Sequence, residues 1–165
     1  MSAPIEIVSF SENDWSEIAA IYQEGIATGI ATFETKVPSW QDWDASHIKP
    51  CRFKAMKENQ VMGWAALSPT SKRKVYQGVA EVSIYITSKF RNLGIGKLLL
   101  SRLIDESEAQ GFWTLQAGIF RQNKASIALH KAVGFREIGY REKVGRLNGV
   151  WHDNTILERR SKLIL

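Results

Sequence analysis

The chain has 165 residues, 44% hydrophobic and 24% charged, which suits one soluble domain over residues 1–165 with a sizeable core and excludes a disordered tail. Its longest apolar stretch, Val61 to Leu67, is far short of the roughly 18 residues a membrane-crossing helix needs, and no basic start with a hydrophobic run suggests export. A lone cysteine, Cys51, excludes an internal disulfide and a cysteine-based zinc cluster and makes the cytoplasm the expected location; the net charge of +5 suits an anionic partner without choosing one.

Alternation over Ile5 to Val8 predicts a short first strand. Trp15, Ile18, Ala19, Tyr22 and Ile26 then recur at helical spacing, predicting a one-sided helix over Asn13 to Ile26 with capping signals in Ser11, Asn13 and Asp14. Gly25 to Thr35 reads as a loop. Ser39, with Asp42 three residues on, opens a second, short helix. Arg52 to Lys57 and Val61 to Ser68 predict a hairpin around Glu58-Asn59-Gln60, followed by a polar loop from Pro69 to Gly78. Trp15, Trp40, Trp43 and Trp64 fall in amphipathic or strand-like segments, so core packing is their expected role.

Ala80 to Ile86 is a period-two strand with Val82, Ile84 and Ile86 on one face and Glu81, Ser83 and Tyr85 on the other. The chain next turns through Gly94 and Gly96 into a helix over Lys97 to Gln110, striped by Leu99, Leu100, Leu103 and Ile104 and ended by Gly111. Thr114 to Ile119 predicts a strand, Lys124 to Val133 a helix stopped by Gly134, and Ile138 to Val144 with Trp151 to Leu157 two closing strands. A hairpin in the first half and only partial strand–helix alternation predict an α+β fold with a mixed sheet.

The strand running into Arg91-Asn92-Leu93-Gly94-Ile95-Gly96-Lys97 carries the chemistry. A glycine turn at a helix start offers unpaired N–H groups and partial positive charge, and Arg91 and Lys97 add to it. It reads as a phosphate cradle whose glycines let a diphosphate approach; a turn that simply needs glycine is the equal alternative. Leu99 stands where a dinucleotide fingerprint needs its third glycine, and Gly96-Lys97-Leu98 lacks the hydroxyl and the earlier glycine of a nucleoside-triphosphate loop.

Arg91-x-x-Gly94-x-Gly96 resembles the acyl-coenzyme A loop of the GNAT N-acetyltransferases. A second element, Asn123-x-x-Ser126-x-x-Leu129-His130-x-x-x-Gly134-Phe135, resembles the motif that follows it in that superfamily. Within it, the Ala80-Glu81 strand start, His130, the segment Ile30 to Thr35 and Gly149-Val150-Trp151-His152-Asp153 are similar to the phosphinothricin acetyltransferase-like family. The resemblance implies a mainly antiparallel mixed sheet flanked by helices, splayed to form an acetyl-CoA cleft, and a homodimer.

It also implies roles for individual residues. The backbone of Ile84, Tyr85 and Ile86 would pair with the pantetheine arm, Arg91 and Asn92 through Leu93, Gly94, Ile95, Gly96 and Lys97 would hold the diphosphate, and Asn123 would bond the arm from the other side. Glu81 would be the general base for the acceptor ammonium, and His130 would accept a proton or protonate the departing thiolate. Outside that motif a lone strand Glu is usually a solvated residue and a lone helical His a structural one. Phe33, in the segment similar to that family's substrate-facing loop, would face the acceptor. Apart from the resemblance, the charge of the loop Lys72-Arg73-Lys74 suits a substrate carboxylate, met by Arg73, or a coenzyme phosphate; a solvated basic loop is the equal alternative.

The expected activity is acetyl-CoA-dependent N-acetylation of a small amino acid or analogue such as phosphinothricin or methionine sulfoximine. A protein N-terminus, polyamine or aminoglycoside is the alternative acceptor, and a basic nucleic-acid-binding module the alternative class; it lacks any recognisable nucleic-acid motif. Cys51 has no nearby activating group in sequence and is expected to be an inert thiol. Trp151-His152-Asp153 finds no further ligands at metal-site spacing, so no metal is expected.

Overall fold

The computed structural model describes residues 2–165. Strand β1 (Glu6–Ser9) leads through a 3-10 turn into α1 (Trp15–Ala27), and α2 (Trp40–Ser46) starts where the Ser39 hydroxyl accepts the Asp42 N–H at 3.2 Å. Next come β2 (Arg52–Lys57) and β3 (Gln60–Pro69), joined by Glu58 and Asn59 at φ 48° and 64°. Both signs are positive, as the tight hairpin turn that matches strand twist requires. After β4 (Val79–Ile86) follow α3 (Ile95–Ala109), β5 (Thr114–Phe120) and α4 (Lys124–Ala132). The chain closes with β6 (Arg136–Leu147) and β7 (Val150–Arg160), turned by Asn148 and Gly149 at positive φ.

All seven strands form one sheet in the order β1-β2-β3-β4-β5-β7-β6. Every pairing is antiparallel except β4 with β5, so the α+β mixed sheet is as expected. The closing strands run past their predicted ends: β6 continues to Leu147 because its ladder reaches the Asn148-Gly149 turn, and β7 continues to Arg160 because it pairs there with β5. Helix α3 starts two residues before the predicted Lys97, since Gly94 already stands as its left-handed cap.

Alternation along the central strands divides the interior into two layers. On one face Phe53, Ala65, Leu67 and Val82 pack under Leu99, Leu100 and Leu103 of α3. On the other, Phe10, Trp43 and Trp64 pack under Ile18, Ile21 and Tyr22 of α1. Trp43 and Trp64 are fully buried, with Trp15 and Trp40 packed against them, which is the core role predicted for all four. The sheet is therefore covered on both faces along its centre, and it opens where β4 and β5 part.

Candidate active site

Parallel pairing of β4 with β5 spans only Val79–Glu81 against Thr114–Gln116. Beyond it the strands diverge, leaving residues 82–86 of β4 without a neighbour on that side. Register with β3 fixes which groups face the gap: the Thr87 N–H donates to the Met62 carbonyl at 3.0 Å, and pairing alternates along Tyr85↔Trp64 and Ser83↔Ala66. The N–H groups of Ile84 and Ile86 consequently point away from β3 into the gap. The end of β4 is pinned by Glu24 of α1, whose carboxylate accepts the Thr87 hydroxyl at 2.8 Å and the Ser88 N–H at 2.9 Å. That backbone N–H above all holds the Glu24 carboxyl below its ordinary range.

A cleft of about 340 Å³ follows the gap onto the start of α3. From β4 it is lined by Ile84, Tyr85 and Ile86; from the turn by Arg91, Asn92 and Gly94; from the first turn of α3 by Ile95, Gly96 and Lys97; and from the cap of α4 by Asn123. Leu93 alone of the predicted set is not part of the wall; its side chain is exposed. Asn92 at φ 64° and Gly94 at φ 77° are both left-handed, which makes a tight turn immediately ahead of the helix N-terminus, where unpaired N–H groups favour an anion.

Both glycines line the cleft, and each has a further local reason to be glycine. Gly94 is required by its φ, and nothing lies within 4 Å of where its Cβ would stand. At Gly96 a Cβ would come 2.7 Å from Leu129 Cδ2, so its absence lets α3 approach α4. Asn123 is held from two sides: Oδ1 accepts the Ser126 N–H of its own helix at 3.3 Å, and Nδ2 donates to the Ile30 carbonyl after α1 at 3.5 Å.

A second lobe of about 230 Å³ adjoins the first and contains Glu81, His130 and Phe33. Glu81 accepts from Gln116 Nε2 at 3.4 Å, across the last paired rung before the strands part. His130 is 2% exposed, edge-on to Phe135. Its Nδ1 lies 2.7 Å from the Ser126 carbonyl, which can only accept, so Nδ1 carries the proton and Nε2 presents a lone pair. Burial pushes its pKa down, against the opposing effect of the Ser126 carbonyl. In this form His130 can take a proton but has none to give at Nε2, which narrows the two roles read from sequence to acceptance first. Phe33 packs on Phe120 with centroids 4.5 Å apart and fills the space beside Gly145, where a Cβ would meet its ring at 2.5 Å.

The structure does not bring Arg73 to either lobe; it lies on the exposed β3–β4 connection with its guanidinium over the Tyr76 ring. His152 stacks on Phe120 and meets Gln122 at 2.8 Å, and among the described residues no group of His, Cys, Asp or Glu could hold a metal. Cys51 is fully buried, and burial pushes its thiol up to about 12. Cys51→Ala is therefore expected to leave kcat unchanged, and the native thiol to resist a disulfide reagent until the protein unfolds; rapid labelling of folded protein would contradict this.

Two histidines link stability to pH. His47, stacked on Trp43 at 3.9 Å, has its pKa lowered by burial, as has His130. A folded pKa below the unfolded value means that the unfolded chain binds more protons, so stability falls as pH drops below about 6.5 and levels off below the folded values. Urea midpoints should decrease between pH 7.5 and 5.5, and less so in a His130→Gln variant; equal slopes would remove His130 from this effect.

Sequence reasoning missed Glu24, Gln116 and Asn154. Each is a polar residue in an otherwise ordinary helix or strand pattern, and only the register across the gap gives it a place. The α1 glycine Gly25 carried a weak signal: a Cβ there would meet the Tyr85 ring at 2.5 Å, so glycine seats α1 on β4.

Residues 14–135 match the model of the Acetyltransferase (GNAT) family. The chain is 30% identical over 155 residues to a phosphinothricin N-acetyltransferase of Streptomyces viridochromogenes, covering 91% of this chain and 84% of that one. It is 31% identical over 151 residues to an L-methionine sulfoximine/L-methionine sulfone acetyltransferase of Pseudomonas aeruginosa, covering 88% of each. Among solved structures, a GNAT superfamily phosphinothricin acetyltransferase from Sinorhizobium meliloti in complex with AcCoA superimposes with a TM-score of 0.83 at 31% identity, covering 97% of this chain and 89% of that one.

Proposed function

Because the chain belongs to the GNAT acetyltransferase family, we propose that it transfers acetyl from acetyl-CoA to the α-amino group of a small amino acid or analogue. The acceptors are of the phosphinothricin or methionine sulfoximine and sulfone type, as the names of the relatives suggest, and transfer is direct with both substrates bound. One observation carries the reading: Ala31, Ile84, Tyr85, Asn123 and Ser126 line both lobes, so an extended donor in the larger one ends where Glu81 and His130 stand.

The residues present fit the donor. The left-handed turn at Asn92 and Gly94 and the N-terminus of α3 would hold its diphosphate, with Arg91 and Lys97 at the rim. The unpaired N–H groups of Ile84 and Ile86 would bond the pantetheine arm as an added strand, and Asn123 would reach it from the opposite wall. Bound there, acetyl-CoA supplies an acyl carbon open to attack by an amine and a thiolate leaving group.

An N–H fixed in the β4 backbone can stabilise charge developing on the acyl oxygen without reorganising. Glu81 takes one proton from the acceptor ammonium and frees its lone pair. As the new C–N bond forms, the nitrogen sheds a second proton, which His130 can receive at Nε2 and pass to the departing sulfur. The net products are amide, thiol and one proton, with no covalent enzyme intermediate.

Thiol release from acetyl-CoA should be seen with phosphinothricin, methionine sulfoximine or methionine sulfone, and be weaker with polyamines and peptide N-termini. Release with the latter alone would move the acceptor to their class, and none with any amine would defeat the proposal. The same reading includes a cytoplasmic homodimer. Exposed apolar side chains on the closing hairpin, among them Tyr140, Val150 and Trp151, offer surface for a second copy to cover. Sedimentation of a monomer at micromolar concentration would remove that part.

A further inference from the structure

Glu24 is a carboxylate where charge alone would not put one. It stands on α1 and lines neither lobe, yet it lies close behind the turn that leads to Arg91. The Ser88 N–H, then the Thr87 and Ser88 hydroxyls and the Arg91 guanidinium, hold its carboxyl below the ordinary range against the opposing effect of burial. A negative charge so placed repels a diphosphate and competes with it for Arg91.

Its geometry supplies a different reason. Thr87 closes β4: its N–H donates to the Met62 carbonyl at 3.0 Å, and its own carbonyl accepts the Phe90 N–H at 3.0 Å to form the 3-10 turn Ser88–Phe90, after which Arg91 stands as the cap. Glu24 accepts the Thr87 hydroxyl at 2.8 Å and the Ser88 N–H at 2.9 Å, so one carboxylate ties the end of the strand to the start of the turn. Thr87 is 5% exposed, which shields the hydroxyl bond from water and favours a strong, charge-assisted contact. On one side of this clamp is Ile86, whose N–H faces the gap; on the other are Phe90 and Arg91, both in the cleft wall. The neighbouring Gly25 seats α1 directly on the Tyr85 ring and so fixes where Glu24 stands.

Resting on the acetyl-transfer reading above, we infer that Glu24 is a positioning residue for the acyl donor: by clamping Thr87 and Ser88 it holds the Ile86 N–H toward the pantetheine arm and Arg91 toward the diphosphate, and it sets donor affinity without touching the donor. Clamp and charge act on an anionic donor with opposite signs, and the clamp is the larger effect. Removing the carboxylate therefore weakens donor binding, whereas a bystander charge, once removed, would strengthen it.

Calorimetric titration with coenzyme A tests this without relying on turnover, using wild type, Glu24→Gln, Thr87→Val, Thr87→Ser and the Glu24→Gln/Thr87→Val double variant, with a urea midpoint recorded for each. Glu24→Gln should raise the Kd for coenzyme A about tenfold or more, as loss of a hydrogen bond to a charged group implies. Thr87→Val, which is isosteric and reads the same clamp, should raise it about three- to tenfold, and Thr87→Ser should restore it. The double variant should lose no more than about twofold beyond Glu24→Gln, because both changes break one clamp. In steady-state kinetics the loss should fall on the KM for acetyl-CoA rather than on kcat. Unchanged or tighter coenzyme A binding by Glu24→Gln overturns the inference, as does a lowered urea midpoint with Kd unchanged, which marks a purely structural role, or a Thr87→Ser variant as weak as Thr87→Val. If wild type binds no coenzyme A, the donor reading falls and the inference with it. If the Kd values shift as described but no amine releases thiol from acetyl-CoA, the clamp stands and the acetyl-transfer reading falls.

Discussion

Glu81→Gln is expected to lower kcat by about 10²- to 10⁴-fold, the usual worth of a positioned general base. The replacement keeps shape and a side-chain oxygen that Gln116 can still bond, but it cannot take up the ammonium proton at working pH. Glu81 lines the smaller lobe only, so the Michaelis constant for acetyl-CoA should stay within about threefold of wild type, the pattern of an interaction made in the transition state. His130→Ala should also slow turnover more than it weakens acetyl-CoA binding. Steady-state kinetics at saturating acetyl-CoA decide both, and a wild-type kcat in either variant takes that residue out of the mechanism.

Trp64→Ala is expected to destabilise the fold by about 3–5 kcal/mol, the range for truncating a buried large aromatic. Trp64 is 0% exposed and sits at the centre of the aromatic layer, with ring centroids 5.7 Å from Trp43, 5.5 Å from Tyr22 and 4.9 Å from Tyr85. Those neighbours belong to three different elements, so the hole cannot close by one side chain shifting. Tyr85 also lines the cleft, and loss of its support should raise the acetyl-CoA Michaelis constant as well. Urea unfolding measures the first effect; a loss under about 1 kcal/mol, ordinary for a surface site, would contradict the packing described.

What was legible in the sequence was local. The turn from Arg91 to Lys97 could be read because strand, glycines and helix stripe are contiguous, and Asn123 to Gly134 because a cap, two turns and a left-handed stop lie in one short segment. The gap was expected from the family resemblance alone, and its position could not be read from the residue patterns. It opens because pairing stops at Glu81 and Gln116, residues far apart in the chain whose flanking patterns look like uninterrupted strands. Gly96 carries a second reason that the sequence could not give, the approach of Leu129 from another helix to where its side chain would stand. Arg73 was placed by charge alone, and charge does not say where a loop points. Asn154 sits in a polar stretch of β7 that resembles any solvent-facing strand until Gly118 and the opening beside it are seen.

The short parallel seam between β4 and β5 sets robustness against usefulness. A sequence that stitched two more rungs there would satisfy amides now left bare and give a sturdier molecule, yet it would have no room for work. Heat-hardened variants selected for survival alone should be watched for this kind of closure, because such a gain is an enzyme sewn shut.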